Sequence, residues 1–257
     1  ELLGVATIEQ TSLLGKRTGE MHLALASGTE QEFKPEEFSL HYQRSLFSSF
    51  QSLVRGTFQN QSRNMKKLPD DIKAEAEEIL GMKEEILEVY KRVYKKKFDV
   101  VKTRLHGDYH LGQVLFTGKD FIILDFEGEP ARSYSERRLK RSPLRDVAGM
   151  IRSFHYAAYG AIFLNDEMRQ ADMDKLVQYA EQWYHYISGV FMKAYLETVK
   201  DSPFIPKDKQ DLEVLLQTYL LEKAIYELNY ELNNRPDWVI IPLRGIKAIV
   251  KDSKVMV

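Results

Sequence analysis

The residues best suited to chemistry lie between His106 and Asp125. Asp108 is followed five residues later by the amide side chain of Gln113, and Asp125 comes directly after the apolar run 121–124. Phosphoryl transfer from ATP needs a carboxylate that accepts the proton of the attacking hydroxyl, and oxygen ligands that hold magnesium on the phosphates. The spacing therefore predicts Asp108 as the general base and Gln113 and Asp125 as ligands of Mg²⁺.

Three short strands are predicted around these residues, at 100–105, 113–116 and 121–124. They bracket the loop that carries the first carboxylate. A carboxylate at the end of an apolar strand is costly without a partner, which favours a bound cation beside Asp125. Asp146 is predicted to cap the helix that follows.

The remainder of the chain has the periodicity of helices rather than of strands. Apolar spacings of three and four predict helices over 8–27, 36–62, 70–97, 146–164, 167–200 and 208–233. A loop containing Pro236 and Pro242 is expected before the C-terminal segment. The predicted fold is mainly α, with a few short β-strands around the catalytic loop.

Composition excludes several kinds of function. The 257 residues are 44% hydrophobic, which suits one large lobe with a sizeable core, and the net charge of −1 gives no reason to expect nucleic acid as a partner. No cysteine is present, so disulfides and thiolate metal sites are excluded, as fits a reducing cytoplasm. No apolar run reaches the roughly 20 residues that span a bilayer. We expect a cytoplasmic protein without membrane contact.

Longer motifs carry a resemblance to known kinases. The pattern His-Gly-Asp-x-His-x-x-Gln at 106–113 resembles the catalytic loop of the aminoglycoside phosphotransferase-like kinases, whose fold is similar to that of protein kinases. The segments 123–130, 136–149, 223–231 and 234–238 resemble the maltokinase branch of that group. Maltokinases occur alone or fused behind a trehalose synthase domain.

The resemblance implies a fold and an activity. Residues 1–257 would form the C-terminal, catalytic and sugar-binding lobe of a kinase. The kinase would use ATP, with Mg²⁺ as cofactor, to phosphorylate maltose at its anomeric hydroxyl. It also implies that His106 supports the loop backbone, that His110 lies near the phosphates, and that Asp146 braces the loop. No glycine-rich loop or sheet typical of a small lobe is visible, so we expect the nucleotide-binding small lobe upstream of Glu1.

The resemblance further points to a sugar pocket near the C-terminus. Lys223, Tyr226 and Tyr230 are three or four residues apart and share one helix face, and Trp238 follows them. We expect these side chains to contact maltose. The alternative is an aromatic stripe that belongs to the core, which the sequence leaves open.

Three other interpretations remain at this point. His106, Asp108 and His110 could be read as zinc ligands, although no further histidine lies nearby to complete the site. The substrate could be another hydroxyl compound of the aminoglycoside or choline type. The chain could also be a non-catalytic interaction domain of a trehalose synthase fusion.

Overall fold

The computed structural model describes residues 4–163 and 173–255. The chain divides into two compact units. The first unit combines residues 1–37 with 99–207, and the second combines 38–98 with 208–257. The loop that carries Asp108 belongs to the first unit, and the proposed sugar-binding residues belong to the second.

The structure describes nine α-helices and four short strands within residues 4–163 and 173–255. They are α1 (Val5–Ala26), β1 (Glu36–Glu37), α2 (Leu40–Asn64), α3 (Asp70–Gly81), α4 (Lys83–Lys91), β2 (Val101–Lys102), β3 (Val114–Phe116), β4 (Phe121–Ile123), α5 (Tyr134–Arg137), α6 (Leu144–Phe163), α7 (Met173–Val199), α8 (Lys209–Asn234) and α9 (Ile240–Val255). The strands form two antiparallel ribbons, β1–β2 and β3–β4. The mainly helical fold class is confirmed.

In the first unit, α1 packs closely against α7 because glycine leaves room between them. A Cβ atom on Gly15 would lie 2.4 Å from the carbonyl oxygen of Phe191, and one on Gly19 would lie 2.8 Å from Thr198. Such distances are tolerated only without a side chain. The close approach brings α1 residues deep into this unit, where two of them reach the candidate site.

In the second unit, α2, α8 and α9 surround an aromatic core. Phe50 and Tyr90 stack with ring centroids 4.6 Å apart. The buried Gln43 amide donates to the carbonyls of Val93 and Lys96 at 2.6 Å each. These bonds satisfy carbonyls just beyond α4, where a helix end leaves them without intrahelical partners. The unit therefore has a core of its own.

Two predicted helices have different boundaries in the structure. The helix expected over 36–62 begins at Leu40, because 36–37 instead pair as β1 with β2. The helix expected over 70–97 ends at Gly81 and resumes at Lys83. Its apolar stripe continues across the break, so periodicity alone did not reveal it.

Two predictions about individual residues were wrong. Asp146 does not cap α6, which begins at Leu144; it lies in the first turn and its side chain serves the catalytic loop. Pro242 does not lie in a loop but in the first turn of α9, where a missing N–H is tolerated.

Residues 164–172, which include the start of the predicted helix 167–200, lie outside the described ranges. Among residues 4–163 and 173–255, no helix has the length and apolarity that crossing a bilayer requires.

Candidate active site

Asp146 fixes the start of the catalytic loop, which we define as residues 106–113. Its carboxylate is 2% exposed and accepts hydrogen bonds from the N–H of His106 at 2.9 Å and of Gly107 at 3.0 Å. Burial alone would raise the pKa of Asp146, but the hydrogen bond and charge of His22, with smaller contributions from His106 and Gly107, lower it below its ordinary value. The carboxylate therefore stays ionised at neutral pH.

Helix α6 also holds the middle of the loop. A Cβ atom on Gly149 would lie 2.5 Å from the carbonyl oxygen of Tyr109, so the helix and the loop touch backbone to backbone. One turn later, Ser153 Oγ accepts the N–H of Leu111 at 2.9 Å. With Asp146, these residues occupy one face of α6. That face fixes the backbone on both sides of Asp108.

His106 joins the catalytic loop to the segment that follows β4. Its Nε2 lies 2.7 Å from the carbonyl oxygen of Leu124. A carbonyl only accepts, so we assign the ring proton to Nε2, which leaves Nδ1 to accept the N–H of Asp108 at 3.4 Å. The ring also lies 4.9 Å from that of Phe126. Within the part of the chain that the structure describes, no three His, Asp or Glu side chains are placed to share a metal ion, which gives the zinc interpretation no support.

Asp108 and His110 face each other in the same loop. His110 Nε2 lies 3.8 Å from Asp108 Oδ2, which is beyond hydrogen-bond distance. His110 Nδ1 accepts the N–H of Gly112 at 3.0 Å, and a Cβ atom on Gly112 would lie 2.8 Å from the imidazole. Glycine therefore gives the ring the space to turn towards the carboxylate.

Gln113 and Asp125 form a pair of oxygen donors. The Gln113 amide nitrogen donates to Asp125 Oδ2 at 3.1 Å. An amide can turn about its last bond and present its oxygen instead, so both side chains can face one cation. Magnesium prefers such hard oxygen ligands, needs few of them from the protein and keeps water in its other positions. This donor set fits Mg²⁺.

The backbone around Asp125 is unusual. Asp125 has φ +59°, and it is the one non-glycine residue with positive φ in the described ranges. Such strain often marks functional sites. Gly128 follows at φ +79° and Gly107 has φ +92°. A Cβ atom on Gly107 would lie 3.3 Å from the Cα of Gly128, so the turn after Asp125 touches the start of the catalytic loop.

An exposed apolar surface ends at this turn. Leu115 of β3 pairs with Ile122 of β4, and Leu124 lies two residues further on the same side of the hairpin. All three side chains are exposed, and we call them the apolar hairpin face. Exposed clusters of this kind commonly mark binding surfaces. The face leads directly to Asp125.

The proposed sugar-binding residues belong to the second unit, where cations lie near their aromatic rings. Lys223 Nζ lies 5.2 Å from the ring centroid of Tyr226. The Arg235 guanidinium lies 4.1 Å from the ring centroid of Trp238 and 5.6 Å from that of Tyr230. Tyr230 is 47% exposed, so it is not part of a core stripe.

Sequence reasoning overlooked the residue that organises this cluster. Arg235 donates twice to the buried carboxylate of Glu231, at 2.8 and 2.7 Å. The spacing of four residues between Glu231 and Arg235, the residue that follows α8, was the available signal. A paired, oriented guanidinium beside two aromatic rings leaves further donors and ring edges for a polyhydroxylated ligand.

No protein family model matches the chain. A glucosamine kinase of Mycolicibacterium smegmatis (strain ATCC 700084 / mc(2)155) is 29% identical over 155 residues, which cover 58% of this chain and 34% of that protein. A glucosamine kinase of Streptacidiphilus jiangxiensis is 27% identical over 140 residues, which cover 54% of this chain and 29% of that protein. The chain thus spans about a third of the curated relatives it matches.

Solved structures agree on the fold. A glucosamine kinase in complex with glucosamine, ADP and inorganic phosphate superposes with a TM-score of 0.73 at 21% identity, covering 96% of this chain and 56% of that one. A further crystal form of glucosamine kinase gives a TM-score of 0.72 at 21% identity, with 95% and 54% covered. The chain is therefore similar in fold to these kinases.

Proposed function

We propose that this chain carries the catalytic loop and metal ligands of an ATP-dependent sugar kinase. The observation that carries the proposal is the meeting of two loops at His106. The catalytic loop bears Asp108 and Gln113, and the segment after β4 bears Asp125, which contacts Gln113. A base for a hydroxyl proton and a pair of magnesium ligands are the protein groups that phosphoryl transfer requires.

In the proposed reaction, Asp108 accepts the proton of a sugar hydroxyl. The hydroxyl oxygen forms a bond to the γ-phosphorus of ATP while the bond to the bridging oxygen breaks, and ADP leaves. Gln113 and Asp125 would hold Mg²⁺, which neutralises phosphate charge when bound. The contact of His110 with Asp108 supports an orienting role for that imidazole.

The apolar hairpin face supports a nucleotide as the phosphoryl donor. Leu115, Ile122 and Leu124 offer an apolar surface on which the base of ATP can lie. Because the face ends at Asp125, a nucleotide bound there would direct its phosphates towards the metal ligands. The ADP in the similar glucosamine kinase structure agrees with this donor.

Glucosamine is the first sugar to consider as acceptor. Both curated relatives reported above are glucosamine kinases. Maltose is the second candidate, because the segments 123–130, 136–149, 223–231 and 234–238 resemble the maltokinase branch. The relatives give no support to maltose specifically or to a trehalose synthase fusion. Cytoplasmic location stays a prediction.

A panel of acceptors tests this function. The full-length protein is assayed for ADP release with ATP and Mg²⁺ against glucosamine, glucose, N-acetylglucosamine, maltose and an aminoglycoside. We expect the highest kcat/KM for glucosamine, at least about tenfold above glucose, because a hydrogen bond to a charged group contributes roughly 1.5–3 kcal/mol.

The outcomes separate the alternatives. A preference for maltose would assign the maltokinase activity instead, and a preference for the aminoglycoside would assign that class. A folded full-length protein that phosphorylates no acceptor would overturn the kinase proposal in favour of a non-catalytic domain.

We predict that Tyr230→Ala raises KM for the sugar without unfolding the protein. Loss of one aromatic contact should cost about tenfold, within the range of roughly 0.5–1.5 kcal/mol that aromatic contacts contribute. Tyr186→Ala is the matched control, since Tyr186 is 49% exposed but lies on α7 in the first unit. Equal KM values for both variants, or a collapse of Tm in Tyr230→Ala alone, would contradict a role in sugar binding.

A further inference from the structure

His22 on α1 is fully buried, and both of its ring nitrogens have partners. Nε2 lies 3.2 Å from Asp146 Oδ2, and Nδ1 lies 3.0 Å from the hydroxyl of Tyr195 on α7. The rings of His22 and Tyr195 meet edge to face with centroids 5.6 Å apart. A buried imidazole bonded at both nitrogens has a fixed orientation, so it offers Asp146 a donor in a fixed direction.

The carboxylate that His22 contacts is the one that holds the catalytic loop. Asp146 Oδ2 receives the N–H of His106 as well as His22, and Oδ1 receives the N–H of Gly107. Without His22 the carboxylate would keep the His106 and Gly107 donors, lose the His22 donor and remain buried. A buried carboxylate that lacks a donor turns or takes up a proton, and either change would release loop amides.

A second α1 side chain reaches the loop on the other side of Asp108. Thr18 Oγ1 lies 2.8 Å from the hydroxyl of Tyr109, and both side chains are buried. Thr18 already donates to the carbonyl of Leu14 at 2.8 Å, so Tyr109 is the donor between the two hydroxyls. Burial raises the pKa of Tyr109, which keeps its hydroxyl protonated for this bond.

We propose that α1 is a positioning element for phosphoryl transfer, and that His22 and Thr18 clamp the backbone on either side of Asp108. The two residues are one turn apart on one helix face. His22 acts through Asp146 on residues 106–107, and Thr18 acts directly on Tyr109. Neither touches a reacting atom. The proposal rests on the kinase function above, but its structural part is testable without catalysis.

The kinetic test compares His22→Leu, which removes the donor, with His22→Gln, which keeps an N–H for Asp146. In the full-length protein we expect His22→Leu to lower kcat about 10²-fold, since misplacement by about 1 Å costs that much, with KM values nearly unchanged. His22→Gln should recover most of the loss. A residue that only fills the core would give no such recovery.

Thr18→Val is the conservative test of the second contact. Thr198→Val is its matched control, because Thr198 donates to the carbonyl of Ala194 in the same way and lies against α1, but makes no hydrogen bond to the catalytic loop within the described ranges. We expect Thr18→Val to lower kcat and Thr198→Val to leave it unchanged. These variants decide the proposal even if His22→Leu fails to fold.

Amide hydrogen exchange separates this proposal from the kinase proposal. Exchange at His106 and Gly107 should be about tenfold faster in His22→Leu than in His22→Gln, as expected on loss of a hydrogen bond to a charged group. This readout needs no turnover. Equal exchange in the two variants, or equal kcat in Thr18→Val and Thr198→Val, would overturn the positioning role of α1. An inactive wild-type protein with the expected exchange pattern would overturn the kinase function alone.

Discussion

Asp108→Asn should lower kcat by about 10²–10⁴-fold in the full-length protein, the range that general-base catalysis contributes. The amide keeps the shape of the carboxylate but cannot accept the hydroxyl proton. The backbone of residue 108 is held through the neighbours that Asp146 and Ser153 bind, so we expect the loop to stay in place. KM for ATP and for the sugar should change little, because binding does not depend on the base.

The control for Asp108→Asn is Asp201→Asn, which makes the same change at an exposed residue of the first unit. It should retain wild-type kcat. Near-normal turnover of Asp108→Asn would remove this carboxylate from the mechanism.

The candidate site could be proposed from the sequence because its residues lie close together along the chain. Asp108, Gln113 and Asp125 lie within 18 residues of one another, in a motif whose spacing follows from a loop and a hairpin. Strands were predicted at 113–116 and 121–124 with a turn between them, and the structure places β3 and β4 there as an antiparallel pair. Short-range geometry of this kind is set by the chain itself.

The residues that contact the catalytic loop from distant helices could not be predicted in the same way. His22 lies 124 residues before Asp146, and nothing in its neighbourhood distinguishes it from any helix histidine. Gly149 gave a weak signal, since glycine inside a helix costs about 1 kcal/mol and often marks a close approach. Such contacts depend on how α1 and α6 pack, which local patterns do not encode.

The same distinction explains the errors in the fold. Periodicity identifies an inward face, and Ile79 and Ile86 both belong to that face although the helix breaks between them at Met82. The two residues of β1 were missed because a strand so short has no alternation to detect; its pairing with β2 is a long-range event. Helix faces are readable from sequence, whereas breaks and short ribbons depend on tertiary partners.

Asp125→Ala should abolish magnesium-dependent turnover more completely than Gln113→Ala. Metal ions contribute several kcal/mol to such reactions, so we expect a loss of about 10³-fold or more for Asp125→Ala. Gln113→Ala removes a neutral ligand that water can replace, and its loss should be smaller. Asp125→Asn isolates the effect of the charge. Asparagine tolerates the positive φ of this position and keeps a side-chain oxygen, but it has no negative charge.

Magnesium dependence distinguishes a metal ligand from a residue that only shapes the turn. The Mg²⁺ concentration that gives half-maximal rate should rise in Asp125→Asn and rise less in Gln113→Ala. Glu127→Ala removes an equal charge two residues away at an exposed position and should leave that concentration unchanged. If Asp125→Asn and Glu127→Ala have the same Mg²⁺ requirement, the charge of Asp125 does not bind the metal. The second measurement is the affinity for ADP with and without Mg²⁺, determined by calorimetry. Only substitution of a metal ligand should reduce the gain in affinity that Mg²⁺ provides.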